Sequence, residues 1–441
     1  MDNFFPYVKE GFKVVIGPVS YIHSLINRRK YYELNQDAAE IIVQCNGKRS
    51  IEEITQDLAN KYQEEYVTTL ETIRSYIFSE EFMGISKTPL STNNEILGKW
   101  NIQSPAHVSI ELTYRCNFYC KHCYNNCGFE RDVYIDKEEF FKLADDLRDH
   151  GVVTVELTGG EPLMHPDFSS IIKYCLDHFN MVGVITNGYF LTEKILDDLI
   201  QYRDKLIFQV GLHGENEYME WFCGLKGAFD NAKRSIKLLN ERRFLFKITM
   251  IITPMNIFQI YKTVELARSL VDDSNPWCHI SMSPIVELGR GKSPDLLLAP
   301  EHNDLLIKTL ERVDNKFGHF VSKIPEHYYE YKNCGAGCRS LSITPNGDVK
   351  LCVMADENLI SWGNIIKDGL NNILSRDLSL FFNSIDAPNS EICGECENAV
   401  FCGFCLTRGI KKYSEIKENC VWAQKIKLNE FLQNFKLSNI S

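Results

Sequence analysis

The run CNFYCKHC at residues 116–123 places three cysteines, Cys116, Cys120 and Cys123, within eight residues. Three thiolates this close together can hold one face of a 4Fe–4S cluster, which leaves the fourth iron without a protein ligand. Clusters that carry only electrons are normally held by four cysteines, whereas an iron with an open position can bind a small molecule. Structural zinc, the alternative, is disfavoured because it usually takes two separated pairs of ligands.

The spacing Cys-x3-Cys-x2-Cys resembles the signature of the radical S-adenosylmethionine (SAM) enzymes. The resemblance implies that the open iron binds SAM and that one electron then releases a 5′-deoxyadenosyl radical, which abstracts hydrogen from a substrate. In this family a planar residue in front of the third cysteine lies against the adenine, and that residue is His122 here. A solvent-facing loop histidine is the alternative for His122.

Strands and helices alternate along residues 105–300. Each apolar run of strand type is followed by an amphipathic stretch, which predicts parallel βαβ units. Six such units predict an α/β fold, a partial (β/α)6 TIM-like barrel, whose functional loops follow the carboxyl ends of the strands. The cysteine run follows the first strand, where this topology expects a site. The predicted strands are Val108–Leu112, Val152–Leu157, Val182–Thr186, Leu206–Leu212, Lys247–Thr253 and His279–Pro284.

Two further turns follow the second and third predicted strands. The first resembles the family's Gly-Gly-Glu-Pro motif, which binds the SAM amino group, and its glycines let the backbone approach a ligand closely. A tight βα turn is the alternative if that motif is considered alone. The second resembles the family's ribose-contacting Thr-Asn-Gly turn. The residues that the resemblance assigns to SAM are Gly159, Gly160, Glu161, Pro162, Thr186 and Asn187.

The fourth predicted strand departs from the family's pattern. Relatives usually have Ser-Leu-Asp-Gly there and Arg-Gly a little further on, whereas this chain has Gly211-Leu212-His213-Gly214 and Phe222-Cys223-Gly224. The serine and arginine that the resemblance assigns to the SAM carboxylate are therefore missing, and Lys226 or Arg290 is a hypothetical replacement. Cys223 is a candidate hydrogen donor if the reaction is an epimerisation, and a buried helix cysteine is the alternative.

Eight cysteines from Cys334 to Cys420 mark a second metal-rich region. Their order, together with Gly347-x4-Cys352, resembles the SPASM extension of radical SAM enzymes. One spacing differs, because Cys402 and Cys405 form Cys-x2-Cys where the family usually has Cys-x3-Cys. Taken alone, Cys393 and Cys396 would favour zinc. The resemblance implies two auxiliary 4Fe–4S clusters, one on Cys334, Cys338, Cys352 and Cys405 and the other on Cys393, Cys396, Cys402 and Cys420. Without Cys338, the first of these clusters would have an open iron.

Residues 1–88 are predicted to form a winged-helix-like domain, followed by a linker at 89–104. The stretch from Tyr32 to Leu58 resembles the recognition element of ribosomal-peptide maturases, whose sheet edge binds a leader peptide as an added strand. DNA binding is disfavoured because residues 1–95 carry ten Lys and Arg against fourteen Asp and Glu. A purely structural domain is the other alternative. The predicted elements are strands Phe12–Ile16 and Tyr31–Leu34 and helices Asp37–Cys45, Ser50–Tyr62 and Val67–Phe78, the second with a capping box of Ser50 and Glu53.

The composition is that of an ordinary globular protein, with 44% hydrophobic and 24% charged residues among 441. The net charge of −11 gives no reason to expect nucleic acid or an anionic membrane as a partner. Sixteen cysteines without a signal peptide favour metal binding over disulfides, so we expect a cytoplasmic location. We predict the radical SAM core over residues 105–320 and the SPASM extension over 321–441.

The resemblance covers nearly the whole chain, which looks similar to maturases that build thioether bridges in peptide antibiotics. It implies hydrogen abstraction from a carbon of a precursor peptide, bound through its leader, followed by capture of that carbon by a cysteine sulfur. It also implies three 4Fe–4S clusters, SAM, and an electron donor such as flavodoxin or ferredoxin. Carbon–carbon cross-linking, epimerisation and a peptide-binding protein that has lost catalysis are the alternatives.

Overall fold

The computed structural model describes residues 4–24, 31–92, 95–272, 278–322, 332–355, 360, 362–374 and 377–434. The chain divides into two compact units. The first comprises Met1–Ala106, Leu147–Val153 and Leu374–Leu380, and the second comprises His107–Asp146, Thr154–Ile373 and Phe381–Ser441. In the described part of the chain, no helix combines the length and the apolar character needed to cross a membrane.

The first unit places helices against small sheets. Its elements are β1 (Phe5–Val8), β2 (Phe12–Ile16), β3 (Ser20–Ser24), β4 (Tyr31–Leu34), α1 (Gln36–Ile42), α2 (Ile51–Tyr62), α3 (Tyr66–Ser79), β5 (Met83–Ser86) and β6 (Ile96–Gly98). The described strands pair as β1-β5 and as β4-β3-β2-β6, so β4 lies at a sheet edge. The predicted capping box is confirmed, because the Ser50 hydroxyl accepts from the Glu53 amide and the Glu53 carboxylate accepts from the Ser50 amide.

Apolar side chains from both kinds of element fill the core of the first unit. Ile22 on the sheet packs with Ile42, Ile54 and Ile73 from the three helices, and all four are buried. Along α2 the buried residues Ile51, Ile54 and Leu58 recur at helical spacing, the pattern that predicts an inward face. The helices therefore form where they were predicted, with ends that differ by a few residues.

The segment 89–104 differs from the predicted linker. Within it, β6 pairs in parallel with β2, from Val14 opposite Ile96 to Ile16 opposite Gly98. Gln103 is also buried, and its side-chain oxygen accepts a hydrogen bond from the Val19 amide at 3.0 Å. This strand has only three residues, Ile96–Gly98, which are too few to show an alternating pattern within a segment that is otherwise polar.

The second unit contains the predicted barrel. Its elements are β7 (His107–Thr113), α4 (Lys137–Asp149), β8 (Thr154–Gly159), α5 (Phe168–His178), β9 (Met181–Thr186), α6 (Glu193–Leu199), β10 (Leu206–Gly211), α7 (Asn216–Cys223), α8 (Ala228–Glu241), β11 (Leu245–Ile252), α9 (Ile260–Ser269) and β12 (His279–Pro284). All six strands run parallel in the order β12-β11-β10-β9-β8-β7. The α/β class and the partial barrel are thereby confirmed, and the loops after the strands lie at one end of it.

A hairpin from the second cysteine-rich region extends the barrel sheet. The elements that follow β12 along the chain are α10 (Asn303–Phe317), β13 (Ser340–Ile343), β14 (Val349–Lys350), α11 (Ile365–Asp368), α12 (Leu370–Leu374), α13 (Leu378–Ser384), α14 (Ser390–Cys393), α15 (Ala399–Cys402), α16 (Leu406–Ile416), α17 (Val421–Lys425) and α18 (Leu428–Asn434). β13 runs parallel to β7, and β14 runs antiparallel to β13. The first barrel strand therefore lies between β8 and this hairpin.

A buried ion pair joins β14 to β7. Lys350 Nζ lies 2.6 Å from Glu111 Oε1, and the two side chains are 2% and 0% exposed. Replacing Lys350 by methionine would leave Glu111 as a buried carboxylate without its cation. We expect this change to lower the free energy of unfolding by about 3–5 kcal/mol, measured by urea denaturation.

The control for this prediction is Lys316→Met. Lys316 pairs with Glu265 at 2.8 Å, but both side chains are about half exposed. Exposed pairs contribute at most about 1 kcal/mol, so this variant should unfold close to the wild type. If Lys350→Met and Lys316→Met lowered the free energy of unfolding by equal amounts, a stabilising role for the buried pair would be contradicted.

Candidate active site

The three cysteines of the run at 116–123 lie in the loop that follows β7. Cys116 is buried, and Cys120 and Cys123 are half-buried. The loop is shaped by its own backbone, since the amide of Cys123 donates to the carbonyl of Cys120 and the amide of Cys116 donates to that of Gly128, both at 3.2 Å. Burial raises the pKa of Cys116, and the charges of Cys120 and Cys123 raise it further. The three cysteines therefore lie on a single loop, and electrostatic interaction links the Cys116 thiol to the other two.

A fourth cysteine supports the third thiol of the loop. The amide of Cys127 donates to Cys123 Sγ at 3.2 Å, and the Cys127 thiol also hydrogen-bonds to it. That thiol contact is the main reason why the pKa of Cys123 is lowered to about 6. The thiolate is the form of cysteine that binds metal, so Cys123 is prepared to be a ligand.

Arg290 holds the cysteine loop in place. Its Nε donates to the carbonyl of Cys120 at 2.7 Å, and its Nη2 donates to the carbonyl of Cys127 at 2.8 Å. Its guanidinium also lies 4.0 Å from the ring centroid of Tyr119. Arg290 was one of two candidates for the SAM carboxylate, and these donors are directed to backbone carbonyls instead. The other candidate, Lys226, is exposed between α7 and α8.

The two glycines at the end of β8 lie against the end of β7 and the start of the cysteine loop. Gly159 has φ of +118°, and an added Cβ would lie 2.3 Å from the carbonyl oxygen of Thr113. A Cβ on Gly160 would lie 2.3 Å from the carbonyl oxygen of Arg115. The Gly160 and Glu161 amides donate to those same carbonyls, at 2.6 and 2.9 Å. Only glycine allows this approach, which brings the turn directly beside the cysteines.

Glu161 is fully buried at the centre of the site. Its carboxylate accepts hydrogen bonds from Thr186 Oγ1 at 2.8 Å, from the Asn187 amide at 2.8 Å and from the Leu163 amide at 3.1 Å. Burial raises the pKa of Glu161 to about 7, although these hydrogen bonds act in the opposite direction. A buried carboxylate without a cation among these partners is suited to receive a positively charged or amino group of a ligand.

The turn after β9 connects Glu161 to the cysteine loop. Asn187 Nδ2 donates to Asn117 Oδ1 at 2.8 Å and lies 3.9 Å from Cys116 Sγ. Arg234, on α8, supports the same turn by donating to the carbonyl of Gly188 at 3.1 Å. Sequence analysis missed Asn117 and Arg234, because neither belongs to a motif. A polar residue between two cluster cysteines is the signal that could have identified Asn117.

His122, between Cys120 and Cys123, packs against two other rings of the barrel. Its ring stacks on Phe222 with centroids 4.4 Å apart and 21° between planes, and it meets His213 edge-on at 4.8 Å. Burial lowers the pKa of His122 well below its ordinary value, and Nδ1 is buried without a hydrogen-bond partner. Since Phe222 covers one face of the ring, only the opposite face can lie against an adenine.

Cys223 ends α7 beside the cysteine loop. Its thiol hydrogen-bonds to that of Cys120, and its carbonyl accepts from the Tyr119 amide at 3.1 Å. The thiol is buried with 2% of the residue exposed. This candidate hydrogen donor thus contacts a proposed cluster ligand directly.

Four cysteines of the C-terminal region line one small cavity. Cys393 and Cys402 end the short helices α14 and α15, and Cys420 precedes α17. Burial raises the pKa of Cys402 to about 12, and the charges of the other three cysteines raise it further. The cysteines that line the cavity are Cys393, Cys396, Cys402 and Cys420, the set that sequence analysis assigned to one auxiliary cluster.

Three further cysteines form a second group. Burial raises the pKa of Cys352 to about 12, with smaller contributions from the charges of Cys405 and Cys334. Cys352 Sγ also lies 3.1 Å from Thr407 Oγ1. Cys338, the fourth member of the predicted set, is 1% exposed, and its amide donates to the carbonyl of Gly335 at 3.1 Å.

These residues fit the cofactors that their pattern implies. Three neighbouring thiols can hold a cluster with one open iron, and the buried Glu161 carboxylate and unpartnered His122 Nδ1 are polar atoms that a ligand could complement. Within the described residues, no three side chains of Cys, His, Asp or Glu converge closely enough to hold a single metal ion. The ligands of a 4Fe–4S cluster bind different irons and are not required to converge in this way.

Three family models match the chain. The radical SAM superfamily matches residues 110–267, the iron–sulfur cluster-binding SPASM domain matches 334–397, and coenzyme PQQ synthesis protein D matches 23–75. The chain is a radical SAM enzyme with a SPASM extension and a PqqD-type N-terminal domain. These matches imply 4Fe–4S clusters and SAM as its cofactors.

The chain is similar to named peptide maturases. It is 28% identical to the antilisterial bacteriocin subtilosin biosynthesis protein AlbA of Bacillus subtilis (strain 168), over 98% of this chain and 99% of that protein. It is 28% identical to the mycofactocin maturase MftC of Mycobacterium tuberculosis (strain CDC 1551 / Oshkosh), over 69% and 79%. The structure of Streptococcus suis SuiB bound to precursor peptide SuiA has the same fold, with a TM-score of 0.62 at 16% identity over 95% and 98%. The resemblance inferred from the cysteine motifs is confirmed.

Proposed function

We propose that this enzyme forms an intramolecular thioether between a cysteine sulfur and a carbon atom of a ribosomally made precursor peptide. The observation that carries the proposal is the match to the subtilosin biosynthesis protein, which extends over 98% of this chain and 99% of that protein. The match therefore includes the PqqD-type, radical SAM and SPASM segments together. We place the reaction in the cytoplasm, where reduced thiols persist.

The proposal requires three 4Fe–4S clusters. The described thiols group as one set of three in the barrel loop, one cavity lined by four, and a further group at Cys334, Cys352 and Cys405 that Cys338 would complete. When bound, the SAM-ligating cluster supplies the radical that removes a hydrogen atom from the peptide, and the auxiliary clusters supply an acceptor for the surplus electron. A flavodoxin or ferredoxin is the proposed electron donor.

The residues around the cysteine loop would position SAM. Glu161 would accept hydrogen bonds from the SAM amino group, and its three donors hold the carboxylate in one orientation for that contact. The open face of the His122 ring would lie against the adenine, since Phe222 covers the other face. Thr186 and Asn187 would contact the ribose.

The N-terminal domain would bind the leader of the precursor peptide. Strand β4 lies at the edge of the sheet formed by the described strands, so its outer backbone groups can pair with an added strand. The helices that follow β4 cover the sheet with a buried apolar face. Main-chain pairing would give affinity for an extended leader, while neighbouring side chains would select its sequence.

The test is an intact-mass measurement on the short peptide encoded beside the gene, co-expressed with the enzyme under anaerobic conditions. Thioether formation predicts the loss of two hydrogens, and one cysteine of the peptide should become resistant to alkylation. Co-expression with the Cys120→Ala variant is the control, in which the peptide mass should stay unchanged.

Other results would select the alternatives. Loss of two hydrogens with every thiol still alkylated would indicate a carbon–carbon bridge. Uptake of one deuterium from heavy water without other change would indicate epimerisation, and Cys223→Ala should then abolish that uptake. An unchanged peptide in the presence of active SAM cleavage would contradict the proposed substrate, and absence of SAM cleavage would favour a peptide-binding protein without catalysis.

A further inference from the structure

His213 borders the proposed SAM site from the fourth barrel strand. It follows the last residue of β10, Gly211, by two positions and is 7% exposed. Its ring centroid lies 4.8 Å from that of His122 and 5.4 Å from that of Phe222, edge-on in both cases. Because β8, β9 and β10 run parallel in one sheet, Glu161 and His213, which follow the carboxyl ends of β8 and β10, lie at the same end of the barrel.

The hydrogen bonds of His213 fix which ring nitrogen carries the proton. Nδ1 accepts a hydrogen bond from the Ile251 amide at 3.2 Å, and the His213 carbonyl accepts from Asn256 Nδ2 at 2.7 Å. Burial lowers the pKa of His213 to about 4, so the ring is neutral at physiological pH. A neutral imidazole whose Nδ1 accepts must carry its proton on Nε2. His213 therefore presents one N–H donor of fixed position.

The absence of a side chain at residue 211 makes room for this donor. An ideal Cβ on Gly211 would lie 2.7 Å from His213 Nε2 and 3.0 Å from the adjacent ring carbon. Any other residue would displace the imidazole. Among the described residues, the hydrogen bond of the His213 ring is the one at Nδ1, and none accepts from Nε2. The donor is therefore available to a ligand.

The site needs such a donor for one part of SAM. The amino acid moiety of SAM carries an amino group and a carboxylate, and the buried Glu161 carboxylate can complement only the amino group, so the SAM carboxylate needs donors from elsewhere. Arg290 directs Nε and Nη2 to backbone carbonyls, and Lys226 is exposed between two helices. We infer that His213 Nε2–H donates a hydrogen bond to the carboxylate of bound SAM. This inference rests on the proposed function only in requiring that SAM binds.

Two variants of His213 separate this hydrogen bond from packing. Glutamine retains an N–H donor near the position of Nε2, whereas asparagine offers polar atoms only near the position of Nδ1. We expect His213→Asn to raise the dissociation constant of SAM roughly 10- to 100-fold, because a hydrogen bond to a charged group is lost. His213→Gln should recover most of this loss. Equilibrium dialysis of anaerobically reconstituted enzyme, with iron and sulfide contents matched, measures both constants.

Decarboxylated SAM identifies the group that His213 contacts. It lacks the carboxylate, so the ratio of its dissociation constants for His213→Asn and wild type should be close to one. An equal loss for SAM and decarboxylated SAM would overturn the inference, as would an unchanged SAM constant in His213→Asn. Failure of the wild type to bind SAM would refute the proposed function and this inference together, whereas SAM binding without peptide modification would refute only the proposed substrate.

Discussion

Replacing Cys120 by alanine is expected to abolish the reductive cleavage of SAM. The three thiols of the cysteine loop are near neighbours, and removing one leaves a 4Fe–4S cluster with two protein ligands. Iron content after anaerobic reconstitution should fall by about one third, because one of three proposed clusters is lost. The measurements are iron content and the amount of 5′-deoxyadenosine formed after addition of dithionite.

The matched control is Cys127→Ala in the same loop. Cys127 is buried and hydrogen-bonds to Cys123, but it lies outside the predicted ligand set. Its removal deletes a supporting contact, so we expect normal iron content and only a partial loss of SAM cleavage. If Cys127→Ala lost as much iron as Cys120→Ala, the assignment of ligands within this loop would be wrong.

The positions of the motifs could be predicted from the sequence because they are local. Cys116, Cys120 and Cys123 lie within eight residues, and Glu161 follows an apolar strand by a few residues. Strand–helix alternation then places both turns at the same end of a parallel sheet. Prediction of the barrel strands β7 to β12, which the structure confirms, required only this alternation and the turn residues.

Contacts between distant segments could not be predicted in this way. Arg290 lies 170 positions from the Cys120 carbonyl that it holds, and Lys350 lies 239 positions from Glu111. A single arginine or lysine carries no sequence signal for such a partner, since most are exposed on the surface. Strand β6 was missed for a different reason, because its three residues are too few to show a side-chain pattern.

The fourth strand shows how a departure from a motif becomes interpretable in three dimensions. The sequence alone shows that Gly211 and His213 stand where relatives usually have other residues, and it offers Lys226 or Arg290 as replacements. The structure adds that the Gly211 backbone and the His213 imidazole occupy adjacent space. The sequence alone presents Gly211 and His213 as two separate losses. In the structure they are a compatible pair, because glycine at position 211 leaves the space beside the His213 imidazole free.

Replacing Cys402 by alanine is expected to separate SAM cleavage from peptide modification. Cys402 lines the C-terminal cavity with three other cysteines, whereas the cysteine loop after β7 contains none of them. Loss of this ligand should therefore leave 5′-deoxyadenosine formation with dithionite within about threefold of wild type, because every SAM contact is retained. Formation of the peptide product should fall more than about tenfold, because the surplus electron loses an acceptor.

Cys175→Ala is the matched control for this variant. Cys175 is fully buried on α5 and belongs to no predicted ligand set, so its replacement tests the effect of losing a buried thiol alone. We expect it to retain both iron and product formation. Full product formation by Cys402→Ala would show that the auxiliary cluster is dispensable for the cross-link. Loss of SAM cleavage in Cys402→Ala, with Cys175→Ala unaffected, would show that the two metal regions do not act independently. That result would contradict the assignment of SAM cleavage to the cysteine loop and of electron acceptance to the C-terminal cysteines.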